Sequence, residues 1–274
     1  MKRKNFAQGV LKQVIAAALS LTVIMPFVII LINSFKTRTG ALLMDLSLPQ
    51  TFMWQNYSVV VERGKLVVSF LNSLLYASAG TLGTVVVAAL AAYVLSRRRT
   101  RLTNFLYGFI VFGIMLPTNF VALIKVMQVF GLINTRSGIV AFYIASNTAF
   151  ATFIVYGFVS SIPRAMDESA AIDGARPLRL FFSIIFPLLQ PVLVTTAVLT
   201  FLGIWNDFVT PLYLLNRSSA WPMTLSIYSF FGRFEQDWNL VFADIVLTCL
   251  PIMAIYLVGQ RYIVQGMTAG AVKG

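Results

Sequence analysis

The chain has 274 residues, of which 58% are hydrophobic and 11% are charged, and its mean hydropathy is +0.83. Soluble domains carry about a quarter charged residues, so this composition excludes an ordinary soluble domain and indicates a membrane protein. The net charge of +12 is compatible with a nucleic-acid partner. We exclude that partner, because the basic residues stand in short segments between apolar blocks.

The residue counts also exclude several kinds of site. There is no His, and the single Cys, Cys249, lies inside an apolar block. A His-containing metal site, a Ser-His-Asp triad and an internal disulfide are therefore ruled out. We expect no catalytic residues, no bound metal and no cofactor on this chain, which is thus not predicted to be an enzyme.

Six apolar blocks are long enough to cross a bilayer, which takes about 20 residues in a helix. They predict an all-α, polytopic membrane protein with six transmembrane helices in one permease domain, residues 1–274. Prolines inside three of the blocks predict kinks. The blocks cover residues 14–35, 68–96, 104–130, 138–160, 187–212 and 239–260.

The basic residues predict the orientation of the chain. With the N-terminus inside, 13 of the 21 Lys and Arg residues face the cytoplasm, as the positive-inside bias requires. Four of them stand together in the short turn from Arg97 to Arg101. Both termini are then cytoplasmic, and residues 261–274 form a cytoplasmic tail.

The cytoplasmic loop at residues 161–187 differs from the other loops because it predicts two short helices. Ser161 predicts an N-cap, and Gly174 suits the left-handed residue that ends a helix. Pro177 begins a second short helix, and Pro187 starts the next span. A rigid element of this kind can transmit displacement from a partner, with Glu168 as a charge for the partner to hold and Ala170 beside Ala171 as a flat face.

A simpler interpretation of the loop also exists. Arg164 and Glu168 stand four residues apart, so they can form a surface ion pair worth a few tenths of a kcal/mol. Charge spacing alone favours this simpler interpretation, whereas the whole pattern of the loop favours the element that transmits displacement.

Sequence motifs in and around this loop point to a family. Residues 168–175 read Glu-Ser-Ala-Ala-Ile-Asp-Gly-Ala, followed by two prolines. This stretch resembles the EAA motif of bacterial ABC importer permeases, with Ser169 in place of the first Ala. Residues 33–37, 205–208 and 260–274 resemble the carbohydrate, maltose-type branch of that family, so the resemblance extends over essentially the whole chain.

The resemblance implies a type I ABC importer permease fold in a bacterial or archaeal cytoplasmic membrane. It implies a heterodimer with a second permease, two ATP-binding subunits that hold ATP and Mg, and an extracytoplasmic sugar-binding protein. It also implies which residues contact the ATPases. They are Glu168, Ser169, Ala170, Ala171, Asp173, Gly174 and Ala175 in the loop, and Ala271, Val272, Lys273 and Gly274 in the tail. The chain has no Gly-x-x-x-x-Gly-Lys-Ser/Thr phosphate loop of its own.

Polar side chains within the apolar blocks are candidates for the substrate path. Trp205, Asn206 and Asp207 form the most suggestive group, because an aromatic face beside amide and carboxylate groups suits a sugar. Asp207 can alternatively cap or pair with a neighbouring helix.

The predicted function is the permease subunit of a binding-protein-dependent importer that translocates a sugar or oligosaccharide. An ion-gradient-driven secondary transporter of a small polar solute is the alternative. It would need buried acidic or His relays or inverted halves, and only Asp207 and Asp244 resemble such a relay.

Overall fold

The computed structural model describes residues 2–232 and 236–271. These residues form α-helices joined by turns and by longer irregular segments, such as the one between Ala41 and Gln55. The helices are α1 (Lys2–Ser34), α2 (Arg38–Ala41), α3 (Gln55–Arg63), α4 (Leu66–Arg97), α5 (Arg101–Met115), α6 (Phe120–Val129), α7 (Arg136–Val159), α8 (Ala165–Ile172), α9 (Pro177–Leu180), α10 (Phe186–Leu188), α11 (Gln190–Asn206), α12 (Val209–Leu214), α13 (Met223–Ser226) and α14 (Trp238–Ala271). A π-helical turn, Phe181–Ile185, joins α9 to α10, and 3-10 turns lie at Ser218–Ala220 and Ile227–Phe230.

Within the described residues, four helices are long and apolar enough to cross a membrane. A fifth span is obtained if Pro177–Leu188 and Gln190–Asn206 are counted together across their 76° bend. The four helical segments are Lys12–Ser34, Leu66–Arg97, Arg136–Val159 and Trp238–Leu257. The chain is therefore a polytopic helical membrane protein, whereas six crossings stay a prediction.

The predicted block at residues 104–130 is not one helix. It is divided into α5 and α6, because Pro117 cannot continue a helix and Asn119 caps a new one. The Asn119 Oδ1 atom accepts a hydrogen bond from the backbone N–H of Ala122 over 3.1 Å. By contrast, Pro26 and Pro251 lie inside continuous helices.

The chain divides into two compact units, and the prediction of one domain over residues 1–274 stays a prediction. The first unit comprises residues 1–67 and 226–251. Its centre is the segment Asn33-Ser-Phe-Lys, in which Asn33, Ser34 and Lys36 are buried. Lys36 Nζ pairs with Asp45 over 2.5 Å, and the ring of Phe35 packs edge-on against Trp54 at 4.7 Å.

The second unit comprises residues 68–225 and 252–274. Small residues on α4 let neighbouring helices approach closely. A Cβ atom at Gly80 would lie 2.8 Å from Ile204 Cδ1 and 3.2 Å from Tyr143 Cβ, and a Cβ at Gly83 would collide with Ile144. The small-residue face of α4 therefore packs within this chain.

Candidate functional site

The predicted coupling segment forms a short, exposed helix followed by a sharp turn. α8 spans Ala165–Ile172, which is about two helical turns. Gly174 has φ +74°, so the predicted left-handed residue after the helix is confirmed. Ser161 is not the N-cap, because its hydroxyl donates to the Phe158 carbonyl over 2.7 Å and the helix begins only at Ala165.

The residues of the predicted ATPase contact do not all face outward. Most are exposed on the surface of the described chain, and Ile172 beside them is 86% exposed. Ala170 is the exception, with 4% exposure in the core of the unit, and Ala175 is half-buried. The expected flat face of Ala170 and Ala171 is therefore wrong, because the two side chains point to opposite environments. The exposed members are Glu168, Ser169, Ala171, Asp173 and Gly174.

The inner side of α8 is tied to the end of α4 by polar contacts. The Asp167 carboxylate lies 2.8 Å from Arg97 Nη2 and accepts a hydrogen bond from the Tyr93 hydroxyl over 2.7 Å. Arg97 Nη1 also donates to the Ile162 carbonyl over 3.1 Å. α8 therefore presents one side outward while the other is fixed to a membrane-spanning helix.

Arg164 takes part in the same connection. Its Nη2 atom donates to the backbone carbonyl of Arg97 over 3.4 Å. In the described part of the chain, no ion pair joins Arg164 to Glu168, so the spacing that permits a surface pair does not produce one. The Glu168 carboxylate is left exposed.

A hydrophobic core supports α8 from within its unit. Ala170 belongs to a cluster of buried residues from α4, α7 and the α9–α11 region. Within the region that supplies these residues, the chain bends by 76° between Pro177–Leu188 and Gln190–Asn206, so α11 begins at Gln190 and not at Pro187 as predicted. The other members are Val85, Ala89, Ala92, Val155, Val159, Leu180, Phe181, Ile185, Leu189, Val192 and Leu193.

The three candidate substrate residues at the end of α11 do not converge on one polar surface. Trp205 is 2% exposed and packs against the rings of Phe70 and Phe201. Asn206 is exposed, and its amide donates to the Leu202 carbonyl of its own helix over 2.9 Å. The expected grouping of an aromatic face with two polar partners is therefore not formed by these side chains together.

Asp207 has the capping role that was its alternative interpretation. Its Oδ1 atom accepts a hydrogen bond from the Thr210 backbone N–H over 3.1 Å at the start of α12. Its backbone carbonyl accepts a bond from the Thr224 hydroxyl over 2.9 Å. Asp207 thus fixes the turn after α11 and holds the following segment to it.

Sequence reasoning missed a set of contacts that holds residues 215–225 against α4. The Asn72 amide donates to the carbonyls of Ser219 and Trp221, each over 3.0 Å. The Tyr76 hydroxyl donates to the Ala220 carbonyl over 2.8 Å, and Ser73 Oγ accepts from the Met223 N–H over 2.8 Å. Asn72 was recognisable as a polar residue in an apolar block, but its partners lie about 150 positions away in the sequence.

Of the four residues in the predicted tail contact, only Ala271 lies within the described part of the chain. α14 continues to Ala271, so the helix extends well past the predicted end of the last span. Val272, Lys273 and Gly274 lie outside the described residues.

Comparison with known proteins identifies the family. Residues 84–269, which include α8 and the part of α4 from residue 84 onward, match the family described as binding-protein-dependent transport system inner membrane component. The chain belongs to this family. Membership favours the importer prediction over an ion-gradient-driven secondary transporter.

Relatives of this inner membrane component match it almost end to end. The chain is 34% identical over 273 residues to the probable starch degradation products transport system permease protein AmyC of Thermoanaerobacterium thermosulfurigenes, covering 99% of each chain. It is 31% identical over 263 residues to the melibiose/raffinose/stachyose import permease protein MelC of Bacillus subtilis, covering 95% of each.

A solved structure confirms the fold. A chain of a bacterial ABC transporter involved in the import of the acidic polysaccharide alginate matches with a TM-score of 0.82 and 22% identity. The match covers 95% of this inner membrane component and 98% of that chain. The fold is thus that of an ABC importer permease.

Proposed function

We propose that this permease subunit carries a sugar or oligosaccharide across the cytoplasmic membrane, using ATP that partner subunits hydrolyse. Membership in the binding-protein-dependent family supports a role in import. Relatives that are named for starch degradation products and for melibiose, raffinose and stachyose support a saccharide as the substrate.

The geometry of α8 is the single observation that carries the proposed mechanism. Glu168, Ser169, Ala171, Asp173 and Gly174 are exposed, whereas Asp167 and Ala170 attach the same helix to the core of its unit. If a partner holds the exposed side of this helix while its other side is packed in the core, displacement of the helix also moves the spans, because packed interiors do not deform continuously. We infer that an ATPase subunit contacts the exposed side.

We assign the partners and orientation on the same basis. The complex contains a second permease, two ATP-binding subunits with ATP and Mg, and an external sugar-binding protein. Both termini face the cytoplasm, as the excess of basic residues there favours. Ala271, Val272, Lys273 and Gly274 form a second contact with the ATPases.

Closure of the ATPase pair would displace α8 and change the access of the substrate path. A ligand or partner shifts such an equilibrium only by its differential affinity for the two states. We place Asn206 and Asp207 beside that path, because Asn206 is exposed and Asp207 sets the turn after α11. Trp205 is buried next to them and packs against the rings of Phe70 and Phe201.

The test is to purify the affinity-tagged permease from cells that also produce candidate ATPase and second permease subunits. We expect all subunits to co-purify with the unsubstituted chain, and uptake of radiolabelled raffinose or α-glucan oligosaccharides to require them. Glu168→Ala should lower uptake about tenfold while the permease remains in the membrane. Glu62→Ala, at an exposed Glu on α3, is the matched control. If Glu168→Ala and Gly174→Val both keep full co-purification and full uptake, the assignment is contradicted.

A further inference from the structure

Helix α4 runs without a break from Leu66 to Arg97 and contacts the coupling segment at one end. We infer that Tyr93, Arg97 and Asp167 are positioning residues that pass the displacement of α8 to α4, and through α4 to the neighbourhood of Trp205. This inference rests on the proposed function, because it takes α8 as the segment that the ATPase grips.

The ion pair in this cluster is shielded from water. The side chains of Arg97 and Asp167 are only 13% and 17% exposed. Exposed pairs contribute little to stability, whereas loss of one partner from a buried pair leaves an uncompensated charge. Asp167 is engaged through both carboxylate oxygens, one by Arg97 and the other by the Tyr93 hydroxyl. The link therefore fixes both the position and the rotation of the carboxylate.

Backbone contacts make the connection reciprocal. Arg97 donates to the Ile162 carbonyl, which precedes α8, and Arg164 donates back to the Arg97 carbonyl at the end of α4. Below them, Ala170 packs in one core cluster with Ala89 and Ala92 of α4. A movement of α8 therefore cannot leave the cytoplasmic end of α4 in place without breaking several contacts together.

The other half of α4 contacts the region of the candidate substrate path. The Phe70 ring meets the Trp205 ring edge-on with centroids 5.9 Å apart. Gly80 lies so close to Ile204 that an added Cβ would approach it to 2.8 Å. Phe70 and Arg97 are about 40 Å apart along the helix at a rise of 1.5 Å per residue. One rigid helix thus joins the ion pair to the Trp205 neighbourhood.

The experiment follows the outer half of α4 with a fluorescent label and needs no identified sugar. The label is placed by Leu71→Cys in a Cys249→Ser chain, since Cys249 is the single cysteine and Leu71 is 56% exposed. The complete importer with its ATPases is reconstituted, and fluorescence is compared without nucleotide and with trapped ATP. We expect an ATP-dependent change that falls about tenfold in Asp167→Asn. The control Arg98→Gln removes a neighbouring exposed charge and should keep the full change.

The possible outcomes separate the inference from the proposed function. A full fluorescence change in Asp167→Asn overturns the inference. The absence of any ATP-dependent change in the labelled complex with Asp167 intact also overturns it, provided that this complex retains its ATPases and hydrolyses ATP. Failure of the unsubstituted chain to retain ATPases at all defeats the proposed function itself. Should Asp167→Asn not accumulate, Tyr93→Phe decides, because it removes one hydroxyl and leaves the ion pair. We expect it to reduce the change, and an undiminished change overturns the inference.

Discussion

The side-chain amide of Asn239 donates to the Oδ1 atom of Asn56 over 2.8 Å, and both residues are buried. The Asn56 amide in turn donates to the backbone carbonyls of Ser34 over 2.8 Å and Lys36 over 3.0 Å. The Asn56 side chain therefore donates hydrogen bonds to two carbonyls at the end of α1 and just after it. It also accepts a hydrogen bond from Asn239, at the start of α14. Asn56 thus provides hydrogen-bond partners for buried polar groups of the first unit that bonds within its helices do not satisfy.

We predict that Asn56→Ala destabilises the protein by about 3 kcal/mol, since it leaves two buried carbonyls and one amide without their partner. Thermal unfolding of the purified chain in detergent measures the change. Ser58→Ala, which removes an exposed hydroxyl two residues away, should leave the midpoint nearly unchanged. Equal midpoints for the two variants would contradict the role of Asn56.

A pH dependence follows from Asp45, which lies outside the membrane-spanning helices. Hydrogen bonds from the Lys36 ammonium and the Ser47 hydroxyl lower its pKa from 3.8 to about 2. The stabilisation is therefore fully present above pH 3.8 and is lost as the pH falls through about 2. Asp45→Asn should lower the unfolding temperature at pH 7, and its difference from the unsubstituted chain should shrink towards pH 2.

The control for this titration is Glu62→Gln, which makes the same change of charge at an exposed residue of α3. Unfolding temperatures are compared from pH 7 to the lowest pH at which the protein stays soluble. A difference for Asp45→Asn that does not depend on pH would show that the carboxylate gains nothing from Lys36.

Gly174 offers a test that separates backbone conformation from contact. Its φ of +74° is costly for other residues, by about 1–2 kcal/mol, yet no atom lies within 4 Å of an added Cβ. Gly174→Val should therefore distort the turn after α8 and lower uptake, whereas Gly174→Asn should retain most of it, because Asn visits the left-handed region more readily. Equal uptake by the two variants would show that uptake does not depend on the left-handed conformation at Gly174.

Close packing on α4 predicts opposite effects for the same substitution at two glycines. Gly80→Ala should destabilise the protein by about 1–3 kcal/mol, because its Cβ meets Ile204 and the Tyr143 Cβ. Gly108→Ala, in α5, has open space and should be neutral or stabilise by up to about 1 kcal/mol. Denaturation in detergent compares the two. A harmless Gly80→Ala would mean that α4 does not pack as closely as described.

The sequence predicted the parts of the fold that follow from uninterrupted apolar runs. The block at residues 68–96 corresponds to Leu66–Arg97, which Lys65 and Arg97 bound, and that at 138–160 corresponds to Arg136–Val159, which begins at a charged residue. The block at residues 104–130 was predicted as one helix but forms two, although the sequence contains the residues that end the first helix. Pro117 followed by Asn119 ends one helix and caps another, but the apolar length concealed it.

The sequence predicted a short helix in the loop at residues 161–187 and the turn at Gly174 that follows it, but not the contacts that attach α8 to α4. Gly174 followed from a local backbone rule, so no partner was needed to foresee it. The pairing of Asp167 with Arg97 joins positions 70 residues apart, and no local pattern specifies it. The burial of Ala170 depends on the same long-range packing, which is why Ala170 and Ala171 were wrongly placed on one face.

The side chains of α1 from residue 12 to residue 28 are all exposed. Over Lys12–Ser34 this helix has 23 residues, so it extends about 35 Å, against a hydrocarbon thickness of about 30 Å. Tilting can absorb the excess, since the membrane-spanning part of this helix is not buried against the rest of the described chain and no packing contact there fixes its angle. Thinner or thicker bilayers should therefore change the inclination of this helix before they disturb the rest of the chain.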